Sequence, residues 1–275
     1  MLIMHETYTL SSRSDRNGKF LLKEERIMAG ITSTVNAELT GQRVVVIGGT
    51  SGIGLAVAQE AIAQGAQVVI ASSNRQRVQQ VVSDLGRNAQ GHPLDVSDEQ
   101  AIVRFFAKVG EFDHLVFTAG DSLQLAELAT MDLAKARNAF ELRYWGALAA
   151  AKYGSPRLRR GGSITLTTGI AGDRPQGGWA LGASVCGAMS ALTRALAMEL
   201  APIRVNAVSP GIVRTNLWRN LDEQQREGMY ESVGKGLPVG RVGEVGDIAR
   251  TYLYLMQEGF STGQVITVDG GAVLV

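Results

Sequence analysis

Residues 43–54 read Arg43-Val44-Val45-Val46-Ile47-Gly48-Gly49-Thr50-Ser51-Gly52-Ile53-Gly54. Four consecutive β-branched residues form a short apolar run suited to a buried strand. The glycines end it in a G-x-x-x-G-x-G spacing, and residues 55–64 then carry a helical pattern. Gly48 permits a tight turn out of the strand, and Gly52 lets backbone approach a pyrophosphate. Gly54 lets the helix lie close to the sheet. The helix start also offers backbone amides and a positive dipole end to phosphate. A glycine loop alone is weak evidence, but between a buried strand and a helix at the first crossover it specifies a dinucleotide site.

Outward from this loop the same unit repeats. Apolar runs at 67–71, 113–117, 163–167, 203–208 and 264–268, with a weaker run at 90–94, alternate with longer amphipathic segments. Continuous apolar strands separated by helices predict an α/β fold: a single doubly wound Rossmann-type parallel sheet of about seven strands, with helices on both faces. Residues 39–275 read as one domain. Residues 1–38 are polar and without periodicity, and read as a disordered leader without the apolar block of a secretion signal.

The 275 residues are 45% hydrophobic with a formal charge of +1, which gives no electrostatic reason to expect nucleic acid or an anionic membrane as partner. No stretch reads as long and apolar enough to span a bilayer, the best being 147–151, and the default location is cytoplasmic. One cysteine, Cys186, and three scattered histidines leave no metal cluster, so no metal is expected.

The end of the second strand reads Ile70-Ala71-Ser72-Ser73-Asn74-Arg75 and lacks the acid that would grip the ribose hydroxyls of NAD. Hydroxyls and Arg75, with Asn74 between them, suit a 2′-phosphate and predict NADP(H) as cofactor. The alternative is that Arg75 is a solvated residue at a helix start.

Five ordered motifs across about residues 40–275 resemble the short-chain dehydrogenase/reductase family. They are the Gly48–Gly54 loop, Leu94-Asp95-Val96, Thr118-Ala119-Gly120, Asn206-Ala207-Val208-Ser209-Pro210-Gly211 with Thr215, and Val268-Asp269-Gly270-Gly271. The resemblance implies that Gly48, Thr50, Ser51, Gly52, Ile53 and Gly54 hold the pyrophosphate. It places Ser73, Asn74 and Arg75 at the ribose, and Asp95 and Val96 at the adenine. Thr118, Ala119, Gly120, Arg143, Pro210, Gly211, Ile212 and Thr215 would then surround the nicotinamide half. It also implies a homotetramer or homodimer.

The chain departs from the family where the proton relay belongs. Arg143 takes the place of a helix asparagine, Gly169 that of the serine, and Gly182-Ala183-Ser184-Val185-Cys186 that of Tyr-x-x-x-Lys. No tyrosine lies between Tyr153 and Tyr230 and no lysine between Lys152 and Lys235, so no shift of register restores the pair. Glycine donates no proton, and a thiol has neither the lysine's charge nor its reach.

Substitutes are Arg143, which can stabilise negative charge, Asp173 as acid/base or partner of a cationic substrate, and Trp179 as a stacking surface. Asp173 as a solvated loop charge and Trp179 as helix packing fit equally well. Thr167 and Thr168 read as strand-end hydroxyls that satisfy local backbone, and Cys186 as a small buried helix residue. Residues 215–227, with Leu217, Trp218 and Leu221, read either as an apolar lid that favours an apolar or aromatic small-molecule substrate or as a structural amphipathic helix.

Three functions remain open on sequence. The first is a divergent NADP(H)-dependent reductase of an imine or iminium, possible because a protonated iminium needs hydride but no proton donor. Fungal relatives that reduce indole-alkaloid precursors and guide their cyclisation are similar in the Arg143 substitution and the aspartate-bearing loop. The second is a non-catalytic dinucleotide-binding sensor, and the third a lyase or isomerase on the same scaffold.

Overall fold

A computed structural model describes residues 39–120 and 126–275. The leader expected over residues 1–38 lies outside the described residues.

The alternation read from the sequence forms the expected sheet. Strands β1 (Arg43–Ile47), β2 (Gln67–Ser72), β3 (Ala89–Pro93), β4 (Phe112–Phe117), β5 (Leu158–Thr167), β6 (Arg204–Pro210) and β7 (Val265–Val268) are all parallel, in the order β3-β2-β1-β4-β5-β6-β7. Helices α1 (Gly52–Ala63), α2 (Arg75–Leu85), α3 (Glu99–Val109), α4 (Leu133–Phe140), α5 (Gly146–Gly154), α6 (Ala180–Glu199), α7 (Glu223–Gly236) and α8 (Val245–Gln257) connect them. The chain leaves β1 in one direction for β2 and β3 and in the other for β4 to β7. A crevice therefore opens at the carboxyl ends of β1 and β4, where ligands bind in such sheets.

The two-residue period of β1 divides the core. Val44 and Val46 join the layer under α1, α2 and α8, whereas Val45 and Ile47 join the layer under α3, α5 and α6. All four side chains are buried, which explains an apolar run without polar alternation. Local signals set the helix ends: Asn74 accepts from the Arg77 amide at 2.9 Å and Asp98 from the Ala101 amide at 3.0 Å.

Buried polar groups close the opposite end of the sheet. His114 on β4 bonds Ser163 Oγ through Nδ1 at 2.8 Å and Gln42 through Nε2, and burial holds its imidazole down at about 4. Arg204 on β6 donates to the Leu255 and Met256 carbonyls at 2.8 and 2.9 Å and so caps the end of α8.

One sequence expectation needs correction. Helix α6 has 20 residues and, by length and composition, is long and apolar enough to cross a bilayer, contrary to the reading that no stretch is. Here Val185, Met189, Leu192 and Leu196 bury its inner face in the core. In addition, the helix that carries Arg143 is not regular: residues 141–145 form a π-helical turn between α4 and α5. Such turns push a side chain out of α-helical phase and are frequent at functional sites.

Candidate functional site

A cleft of about 690 Å³ runs along the carboxyl edge of the sheet, over the switch point between β1 and β4. At its centre the glycine loop is packed too tightly for side chains. Gly48 has φ +93°, and a Cβ on it would lie 2.6 Å from the Ala119 amide nitrogen; a Cβ on Gly54 would lie 2.4 Å from the Gly48 carbonyl oxygen. Helix α1 starts here without a side-chain cap from Ser51, so its first amides face the cleft with no hydroxyl competing for them.

At one end the cleft is lined by Ser72, Ser73, Asn74 and Arg77, with Leu94, Asp95 and Val96 beside them. Arg77, not Arg75, reaches the cleft: Arg75 is exposed at the first position of α2 and does not line it. The phase of α2 explains the exchange. Val78 and Val81 are its buried positions, and docking them on the sheet turns residue 77 toward the cleft. Nothing in the linear sequence ranks one arginine above the other.

At the other end lie Thr118, Ala119, Gly120, Leu142, Arg143, Thr168, Gly169, Cys186 and Trp179, facing Pro210, Gly211, Ile212, Thr215, Leu217 and Trp218. The half-buried Arg143 packs its guanidinium against Gly120. Of the substitutes expected from sequence, Arg143 and Trp179 therefore share this end. Asp173 does not line the cleft; it is exposed on the adjoining loop, although its charge is felt at the Cys186 sulfur.

The hydroxyls at the end of β5 are already engaged. Thr167 Oγ1 donates to the Phe117 carbonyl at 2.7 Å and meets the buried Tyr252 hydroxyl at 2.6 Å. Thr168 Oγ1 donates to the Cys186 carbonyl at 2.8 Å. Cys186 does line the cleft, which the sequence reading as a buried helix residue did not anticipate. Burial raises its thiol above the usual range, so it stays neutral at physiological pH. Gly182 is buried and does not line the cleft. Among the described lining residues there is no tyrosine, lysine, histidine or glutamate.

The lid segment has its own small core. Trp218, Tyr230 and Val242 are buried together, with Trp179, Ile212, Leu217 and Met229 packed against them. The Trp218 indole donates to the Val213 carbonyl at 3.1 Å. Arg214 stands 4.4 Å over the Tyr230 ring and bonds both Glu227 oxygens at 2.8 and 2.6 Å, which pins α7 to the segment after β6. Arg219 also lines the cleft and was not singled out from sequence.

Comparison with known proteins agrees with this architecture. Residues 47–273 match a family model described as "Enoyl-(Acyl carrier protein) reductase". A short-chain dehydrogenase/reductase, fsr5, of Gibberella fujikuroi is 35% identical over 259 residues, covering 86% of this chain and 97% of the relative. The structure of the MalC reductase/Diels-Alderase from Malbranchea aurantiaca superposes with a TM-score of 0.80 at 32% identity, covering 87% of this chain and 99% of that one. A small-chain dehydrogenase in complex with NADPH superposes with a TM-score of 0.73 at 38% identity, covering 85% and 99%.

Proposed function

The chain belongs to the short-chain dehydrogenase/reductase family, and from that premise we propose that it is an NADP(H)-dependent reductase of an electron-poor carbon that needs no proton donor. The carbon is that of an iminium, or of an imine bound in its protonated form, in an apolar or aromatic substrate. The observation that carries this reading is the composition of the cleft, in which no described lining residue is a tyrosine, lysine, histidine or glutamate. The Thr167 and Thr168 hydroxyls are engaged with backbone carbonyls, and the neutral Cys186 thiol carries no positive charge to stand in for a lysine.

The residues present fit the cofactor. Gly48 and Gly54 leave no room for a side chain, and the uncapped start of α1 suits a pyrophosphate. Ser72, Ser73, Asn74 and Arg77 would hold the 2′-phosphate, and Asp95 with Val96 the adenine. Thr118, Ala119 and Gly120 would face Pro210, Gly211, Ile212 and Thr215 across the nicotinamide half. When bound, NADPH supplies the hydride.

The chain's own residues then orient and enclose. Arg143 keeps its charge at any physiological pH, so it cannot act as a general acid; it orients electron-rich groups of the substrate. Trp179, Leu217 and Trp218 form an apolar wall that excludes water and presents an aromatic face to a cationic ring. Asp173, exposed outside the cleft, is not placed to contact the substrate. The same wall would hold a reactive product for cyclisation, in line with the second activity in the name of the Malbranchea relative.

Consumption of NADPH with an N-methyl-dihydroisoquinolinium salt, compared with the ketone tetralone of similar shape, tests the reading. The ketone needs a proton as well as hydride and should lag by at least the ~100-fold usually assigned to a general acid. Comparable rates on the two compounds would overturn it.

A further inference from the structure

We propose that the C-terminal turn, residues 269–274, sets the position of both walls of the cleft, and that Arg174 is the positioning residue that ties the loop after β5 to it. The purpose of the positioned loop rests on the reductase reading above; the positioning itself does not.

Three segments converge on this turn. The first is the end of β6: the Gly211 amide donates to the Val268 carbonyl at 3.0 Å, and a Cβ on Gly211 would lie 2.8 Å from Asp269 Cα. Turn and strand end are thus in backbone contact, and Gly211 lines the cleft. The second is the chain leaving α7. The Val239 amide donates to the Gly270 carbonyl at 3.2 Å, and the Pro238 ring fills the space a side chain on Gly271 would need. The third is the loop that carries Asp173 and Trp179, where Arg174 Nη1 donates to the Ala272 carbonyl at 2.9 Å.

The turn is itself held closed. Asp269 accepts from the Gly271 amide through one carboxylate oxygen and from the Val273 amide through the other, both at 2.9 Å. Gly270 and Gly271 have φ of +65° and +88°, a conformation other residues rarely adopt. A closed turn fixes where the Ala272 carbonyl points. Arg174 can therefore locate its loop only while the turn is intact. The loop's far flank is held separately, by the Ala126 amide donating to the Gly178 carbonyl at 3.1 Å. Release of Arg174 should free the part of the loop nearest the turn and leave the sheet untouched.

Hydrogen exchange over residues 170–179 reads this directly, in Arg174→Ala, Arg174→Lys, a chain ending at Gly271, and that chain carrying Arg174→Ala. Arg174→Ala and the shortened chain should each speed exchange in 170–179 several-fold, and in Arg174→Ala exchange in β4 to β6 should be unchanged. Their combination should go no further than the shortened chain, because that chain already lacks the Ala272 carbonyl that Arg174 binds. Arg174→Lys, which keeps a donor, should recover part of the protection. With NADPH and N-methyl-dihydroisoquinolinium, Arg174→Ala should raise KM several-fold more than it lowers kcat. Unchanged exchange over 170–179 in Arg174→Ala, or additive effects in the combined variant, would overturn the proposal. Should the shortened chain not fold, the Arg174→Ala and Arg174→Lys pair decides alone. Absence of any NADPH consumption by the unmodified protein would count against the reductase reading and leave the exchange result to stand.

Discussion

The guanidinium carbon of Arg143 lies 2.7 Å from the point where a β-carbon on Gly120 would stand. The charge at residue 143 thus rests on the one residue type that leaves it room. The π-helical turn over residues 141–145 carries it, and Gly120, three residues after β4, leaves it space.

Gly120→Ala is therefore expected to displace Arg143 rather than unfold the protein, since the obstructing atoms belong to the end of a flexible side chain. The melting temperature should move by no more than a few degrees, as for a change of about 1 kcal/mol. Iminium reduction should fall at least ~10-fold, with Arg143→Ala losing ~100-fold or more. Steady-state kinetics beside thermal melts check both, and an unimpaired Gly120→Ala would show that Arg143 acts from elsewhere.

Arg77→Ala should weaken NADPH selectively over NADH, by the ~1.5–3 kcal/mol typical of a hydrogen bond to a charged group. Arg75→Ala, at an exposed position outside the cleft, should change neither affinity by more than about twofold, within the ~0.5 kcal/mol usual for surface substitutions. Fluorescence titration of both variants with both cofactors decides between the two arginines.

A hydroxyl placed at residue 169 should not turn the protein into a ketone reductase. A Cβ on Gly169 would lie 3.2 Å from Cys186 Sγ, so Gly169→Ser must push the thiol aside. It should cost about 1–3 kcal/mol by overpacking, and Cys186→Ala should relieve most of that cost. Gly182→Tyr with Cys186→Lys should likewise fail to yield a ketone reductase, because residue 182 is buried away from the cleft. Melts and tetralone assays would show the opposite if the pocket were conventional.

Acid should weaken the fold through His114. Its folded value of about 4 lies below the ordinary 6.5, so between those limits the unfolded chain binds the proton and the native one does not. Stability is complete above about pH 6.5 and falls as pH drops toward 4, by about 3 kcal/mol in total from this group. Denaturant melts of wild type and His114→Gln across pH 4 to 7.5 should converge on acidification as wild type loses this share. Parallel curves would contradict the assignment.

The sequence by itself determined the sheet and its ligand edge. β-branched runs such as Val44–Ile47 are buried on both faces, as between two helical layers, and Gly48 and Gly54 sit where a side chain would collide, at a close turn from strand into helix. These are local constraints, so one strand and one loop carry them. The order of motifs likewise located the lining residues Thr118 to Gly120, Pro210, Gly211, Ile212, Thr215 and Arg143. Tertiary structure decided what depends on rotation and depth. Arg77 rather than Arg75 faces the cleft because Val78 and Val81 fix the phase of α2. Asp173 stays outside while Trp179 turns in, because the loop between them is held at the Ala272 and Ala126 backbones, 98 and 52 positions away from Arg174 and Gly178. The neutrality of Cys186 and the engagement of Thr167 by Tyr252 were equally invisible in the chain, since both come from burial against partners distant in sequence.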